Sequence, residues 1–158
     1  MKFSGLADNT MVVIYGDHRF YTFESGDEIK NFNEYNRVPF VMVLLDKSKG
    51  LLGQVSSQVD IAPTLLNLVE GKDYVTKKNF IGASLYDKNR SDFAINKCLG
   101  QAYLASDNLI IEGNVKSNVY RVLFDRNNQS EEQQKALINL LSGFVENSDQ
   151  AIYGNELK

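Results

Sequence analysis

Two short, unbroken apolar runs constrain the fold of this chain more than any other feature. Met11-Val12-Val13-Ile14-Tyr15 carries no charged or amide side chain on either parity and stops at Gly16. It therefore reads as a strand covered on both faces, the kind that belongs to a parallel sheet. Val38 to Leu45 has the same character, and Pro39 falls near the start of that strand, where a missing ladder hydrogen bond is tolerated. Residues 19–37 between the runs are polar, aromatic and loop-like. Two such strands are too few for a sheet with both faces covered, so the first half reads as the edge of a larger sheet with its other strands upstream.

The texture then changes twice. Ser57 to Val69 reads as a helix with Asp60 as its N-cap, Pro63 in the first turn and Gly71 as the stop; Ile61, Leu65, Leu68 and Val69 then share the buried face. Residues 72–92 read as mostly irregular. From Phe93 onward, short runs (Phe93 to Ile95, Gln101 to Ser106, Leu109 to Glu112, Val119 to Phe124) alternate with Gly100, Asp107-Asn108 and Gly113-Asn114, the pattern of an antiparallel meander. Ser130 followed by Gln133 is a capping-box pattern, with Leu137, Leu140, Leu141 and Phe144 at helical spacing behind it. The expectation is an α/β chain in two parts. Residues 1–92 make up the α/β part at the edge of a larger sheet, and residues 93–158 a small antiparallel sheet closed by a C-terminal helix.

Charge and cysteine content remove several functions. A formal net charge of -3, with the basic residues scattered apart from Lys77-Lys78, gives no electrostatic footprint for nucleic acid. Cys98 is the sole cysteine, which excludes an intrachain disulfide and a thiolate-built zinc site. No stretch has the apolar length of a signal-peptide core or a bilayer span. As written, the chain reads as soluble.

His18 is the only histidine, and it follows Asp17 directly at the end of the first apolar run, with Gly16 letting the backbone turn. Ligand sites in open α/β sheets lie at the carboxyl ends of strands. A carboxylate beside an imidazole is a mixed hard and borderline donor set, suited to manganese, zinc or magnesium. An Asp-His dipeptide alone reads first as a loop carboxylate beside a surface or hydrogen-bonded histidine. Its surroundings favour the metal: Asp8-Asn9-Thr10, the apolar run and Gly16-Asp17-His18 together resemble a block of the alkaline-phosphatase/sulfatase superfamily, especially lipoteichoic acid synthases and phosphoglycerol transferases. Arg37-Val38-Pro39-Phe40, Ser57 to Leu66 and Phe80-Ile81-Gly82-Ala83-Ser84-Leu85 resemble that family's later blocks, in the same order.

The resemblance implies an alkaline-phosphatase-like α/β/α sandwich in which Asp17 and His18 bind the catalytic metal, Mn2+ or Mg2+ before Zn2+ or Ca2+. It implies a phosphoglycerol transferase or phosphoesterase acting on a glycerophospholipid or polyol phosphate. The hydroxyl nucleophile, the acidic ligand and the substrate-positioning histidine would all lie upstream of these residues, so no catalytic residue is assigned here, and the chain alone would be inactive. The parent would be held at the outer face of the cell membrane by a segment not present, and the bared apolar surface would invite self-association. The loop departs from the family pattern, since Arg19-Phe20-Tyr21 stands where many relatives have a nearby glycine, which leaves the substrate-binding residues unknown. Arg37 reads first as a partner for a structural carboxylate and second as a substrate contact. Two other readings compete: a sulfatase, which an upstream formylglycine would mark, and a non-catalytic binding module using the antiparallel sheet as its contact surface.

Overall fold

A computed structural model describes residues 10–18, 36–44, 50, 54–71, 80–98 and 100–153. The chain divides into two compact units, Met1–Gly53 and Gln54–Lys158.

The first unit contains β1 (Met11–Tyr15) and β2 (Phe40–Leu44), paired antiparallel from Met11↔Leu44 to Tyr15↔Phe40. This corrects the expectation of parallel strands covered on both faces. Val12 faces Val43 and Ile14 faces Val41 across the ladder, and all four are between 46% and 57% exposed. Met11, Val13, Phe40, Met42 and Leu44, on the other parity, are only partly exposed. The physical reason is that an apolar run specifies a need for cover but not the direction of its neighbour. Antiparallel and parallel neighbours cover the same apolar surface and differ in the connection that joins them. The aromatic loop of residues 20–35, read from the sequence as candidate cleft lining, lies outside the described residues.

The second unit begins with a 3-10 turn (Gln58–Asp60) that runs into helix α1 (Ile61–Glu70), and Gly71 ends the helix at φ 87. That left-handed conformation carries no Cβ penalty in glycine, as the stop signal requires. The buried face differs from the expected one: Pro63 and Thr64 are buried, whereas Val69 is 67% exposed. The difference comes from polar packing, because the Thr64 hydroxyl donates to the Asp60 carbonyl (2.6 Å) and accepts from the Leu85 N–H (3.0 Å). Residues 80–92 that lie against it are turns, as expected.

The meander forms as the sequence implies. Strands β3 (Ala94–Cys98), β4 (Gln101–Ala105), β5 (Leu109–Asn114) and β6 (Val119–Asp125) make one antiparallel sheet in chain order. Between Ile110 and Ile111 the partner jumps from Phe124 to Val122, a bulge that leaves Leu123 unpaired in the register. Helix α2 (Glu131–Tyr153) starts in a capping box: the Ser130 N–H donates to Gln133 Oε1 (3.0 Å) and the Gln133 N–H to Ser130 Oγ (3.3 Å). Its Leu141, Phe144 and Val145 pack on Ile95, Ala102, Leu104, Leu109 and Ile111 from one face of the sheet, with Val59 and Phe93 at the margin of the same cluster. An ion pair between Lys97 on β3 and Asp149 adds a tie near the end of the helix.

Candidate functional site

Asp17 and His18 leave the ladder at its end. Past Tyr15↔Phe40, the Gly16 N–H donates to the Pro39 carbonyl (2.9 Å), so the two strands are still paired where the polar residues begin. A Cβ on Gly16 would lie 3.0 Å from Val38 Cβ and 3.3 Å from Pro39 Cδ. Glycine therefore lets the strand end press against Val38-Pro39 with nothing between, and that contact sets where the next two residues emerge.

The pair is accessible. The His18 side chain is 56% exposed and that of Asp17 85%, and His18 Nε2 stands 3.6 Å from Asp17 Oδ1. Two ligands held about 2.1 Å from one ion are roughly 3.0–3.4 Å apart in octahedral or tetrahedral geometry, so a shared divalent cation would draw these two donors slightly closer together. Among the described residues no group of three or more His, Cys, Asp or Glu side chains could hold a metal, so Asp17 and His18 have no third candidate ligand there. Two ligands alone would hold a cation weakly, because affinity follows ligand count and charge.

Arg37 does not follow its first reading. It is exposed, and it makes no ion pair among the described residues. Asp60 is the N-cap residue of α1, as its reading has it, but its side chain works elsewhere. No side-chain bond caps α1; instead one oxygen accepts from the Ala83 N–H (2.8 Å), and the other from the Ser57 N–H (3.0 Å) and Arg90 Nη2 (3.1 Å). The side chains of Arg90 and Asp60 are only 5% and 7% exposed, and Arg90 Nη1 also donates to the Val55 carbonyl (2.9 Å). Asp60 is thus the hub of a buried clamp, and beside it Ser84 accepts from Asn67 Nδ2 (2.8 Å). The spacing of 30 residues between Asp60 and Arg90 carries no periodic signal, so the partner could not be read from the sequence.

Comparison with known proteins agrees with the resemblance. Residues 1–72 match the Sulfatase family model. Lipoteichoic acid synthase 1 of Bacillus subtilis is 30% identical over 125 residues, a match covering 71% of this chain and 19% of that protein. Lipoteichoic acid synthase of Staphylococcus aureus is 25% identical over 130 residues, covering 75% of this chain and again 19% of the relative. The chain therefore spans about a fifth of the length of the curated relatives it matches, and its kinship to them is partial and distant.

Proposed function

We propose, for a chain whose residues 1–72 carry the Sulfatase family pattern and whose relatives are lipoteichoic acid synthases, that it contributes two metal ligands to a phosphoglycerol transferase or related phosphoesterase. The observation that carries this reading is the exposed Asp17-His18 pair, with its donors 3.6 Å apart at the end of β1. A divalent ion there, Mn2+ or Mg2+, would polarise phosphoryl oxygens and favour the ionised form of a hydroxyl nucleophile. Asp17 contributes negative charge and a hard oxygen donor, His18 a neutral nitrogen donor, and Gly16 fixes where both begin. The nucleophile, the remaining ligands and the substrate contacts lie outside these residues, so the chain alone turns nothing over. The substrate is a glycerophospholipid or a polyol phosphate at the outer face of the cell membrane. Among the described residues no helix is long and apolar enough to cross a membrane.

The breadth of the family match over residues 1–72 favours one second reading, hydrolysis of a sulfate ester by the same metal pair. Electron paramagnetic resonance of free Mn2+ titrated with the chain tests the common premise. Binding that disappears in both Asp17→Ala and His18→Ala supports it, and binding unchanged in either variant sinks it. Release of glycerol phosphate rather than sulfate by the longest native product containing these residues then separates transferase from sulfatase.

A further inference from the structure

We propose that the face of the four-stranded sheet turned away from α2 binds an uncharged saccharide, through a polar row that crosses all four strands. The row follows from register and alternation. Asn96 stands beside Tyr103, Tyr103 beside Glu112, and Glu112 beside Arg121. Their strand neighbours Ile95, Leu104, Ile111 and Val122 pack in the cluster under α2, so the row lies on the opposite face. Gln101 and Asn114 are paired on that face one row further along.

The row is fixed and its charge is cancelled. The Tyr103 hydroxyl donates to Glu112 Oε1 (3.1 Å), and Arg121 donates to Glu112 Oε2 through Nε (2.8 Å) and Nη2 (2.6 Å). The Glu112 side chain is 17% exposed and that of Arg121 69%. The carboxylate is thus held between two donors, while the guanidinium presents its remaining N–H groups to solvent in a set direction. Two residues along β4 from Tyr103, Gln101 Oε1 is a buried acceptor with no hydrogen-bond partner. At the other end of the same face Ala105 and Ile110 are 7% and 3% exposed, so the open area is confined to the two polar rows.

Those properties select the ligand. A lone guanidinium would attract phosphate by its charge, but Glu112 matches that charge at contact distance. A protein partner docks through large apolar or aromatic anchors. On these rows the exposed large hydrophobic among the described residues is Val119, 59% exposed at the start of the edge strand, which is too little for such an anchor. What remains is directional and neutral: the N–H groups of Arg121 beside amide donors and acceptors. A sugar hydroxyl both donates and accepts, so adjacent hydroxyls match a guanidinium edge and an amide. The Tyr103 ring, partly exposed, adds apolar surface for the C–H groups of a sugar. None of this depends on the metal pair.

Maltose, cellobiose and lactose are the probes, titrated into the chain and followed by proton–nitrogen correlation spectra. At least one of them is expected to give saturable shifts at the amides of Tyr103, Glu112 and Arg121 and at Arg121 Nε. Arg121→Ala should weaken that binding by about tenfold, the loss of charged donors. Glu112→Gln keeps the shape but releases the charge of Arg121, so it should weaken sugar binding and introduce binding of inorganic phosphate at the row. A pair that only stabilises the sheet would show neither effect. Since the pair lies at the surface, both variants should fold. No saturable shift with any of the three sugars overturns the inference, as does unchanged sugar affinity in Arg121→Ala. Inorganic phosphate bound to the wild-type row more tightly than any of the sugars overturns it too. Shifts at the same amides that grow with protein concentration alone, with no response to sugar, mark a contact between copies and overturn it as well.

Discussion

Replacing Asp60 with asparagine is the sharpest probe of what holds the second unit together. The carboxylate receives the Ser57 N–H, the Ala83 N–H and Arg90 Nη2, and both members of the ion pair are almost fully buried. Asparagine keeps the shape but has one accepting oxygen. If that oxygen stays toward Ala83, the new amide NH2 points its hydrogens at the Ser57 N–H and at Arg90; if it flips, it confronts Ala83 instead. Either way donors face donors, and Arg90 loses its counter-charge inside the protein. Breaking a buried pair in this way costs about 3–5 kcal/mol. For a unit of this size that corresponds to a fall in Tm on the order of 12–20 °C. Thermal and urea unfolding followed by far-UV circular dichroism would measure it, alongside Arg90→Met and the double variant. Since each single change leaves the other group stranded, the double variant should be less destabilised than the sum of the two by roughly 1–3 kcal/mol. A loss below about 1 kcal/mol for Asp60→Asn, the scale of an exposed pair, or additive losses in the cycle, would refute the assignment of Asp60 and Arg90 as a coupled clamp.

Three further outcomes are expected. Gly82→Ala would place a Cβ 2.1 Å from the Val59 carbonyl oxygen and 2.7 Å from the Asp60 nitrogen, so it should cost about 1–3 kcal/mol in urea titrations and speed amide exchange at Ala83 and Leu85. Leu141→Ala removes a side chain with no exposed surface from the centre of the α2–sheet core and should cost about 2–5 kcal/mol, whereas Leu140→Ala, 45% exposed one position away, should stay within about 0.5 kcal/mol. Ser130→Ala removes the hydroxyl that accepts the Gln133 N–H and should cost about 1 kcal/mol in the same urea titrations, with faster exchange confined to the first turn of α2.

Much of the fold was legible because its signals are local. The four strands of the meander are each bounded by Gly, Asn or Asp, and such punctuation acts within a few residues. The capping box before α2 is equally short-range, and Ser130 and Gln133 satisfy one another as their spacing implies. The pairing sense of β1 and β2 was not legible, since apolar runs do not encode the direction of a neighbour. The buried face of α1 was misjudged for a related reason. Periodicity counts Val69 as core and Thr64 as neutral, but Thr64 is buried because a hydroxyl can satisfy both the Asp60 carbonyl and the Leu85 N–H, a pairing across 21 residues that no window sees.

The motif blocks looked alike in the sequence, and the structure divides them by the physics that each obeys. Asp60, Thr64, Gly82 and Ser84 sit in the blocks at Ser57 to Leu66 and Phe80 to Leu85, and each is accounted for by packing: a carboxylate with its donors, a hydroxyl with two backbone partners, a glycine without room for a Cβ, a serine bonded to Asn67. Substituting them should alter stability first and binding only through it. Asp17, His18 and Arg37 sit in the blocks at residues 8–18 and 37–43 and are exposed at one end of a two-stranded ladder. Burial contributes little to keeping a carboxylate, an imidazole and a guanidinium there, and surface charge pairs are worth about 0–1 kcal/mol. Alanine at Asp17 or His18 should therefore leave the urea midpoint where it is while changing what the chain binds, and alanine at Arg37 should leave the midpoint unchanged as well. That separation of stability from binding distinguishes a functional cluster from a structural one.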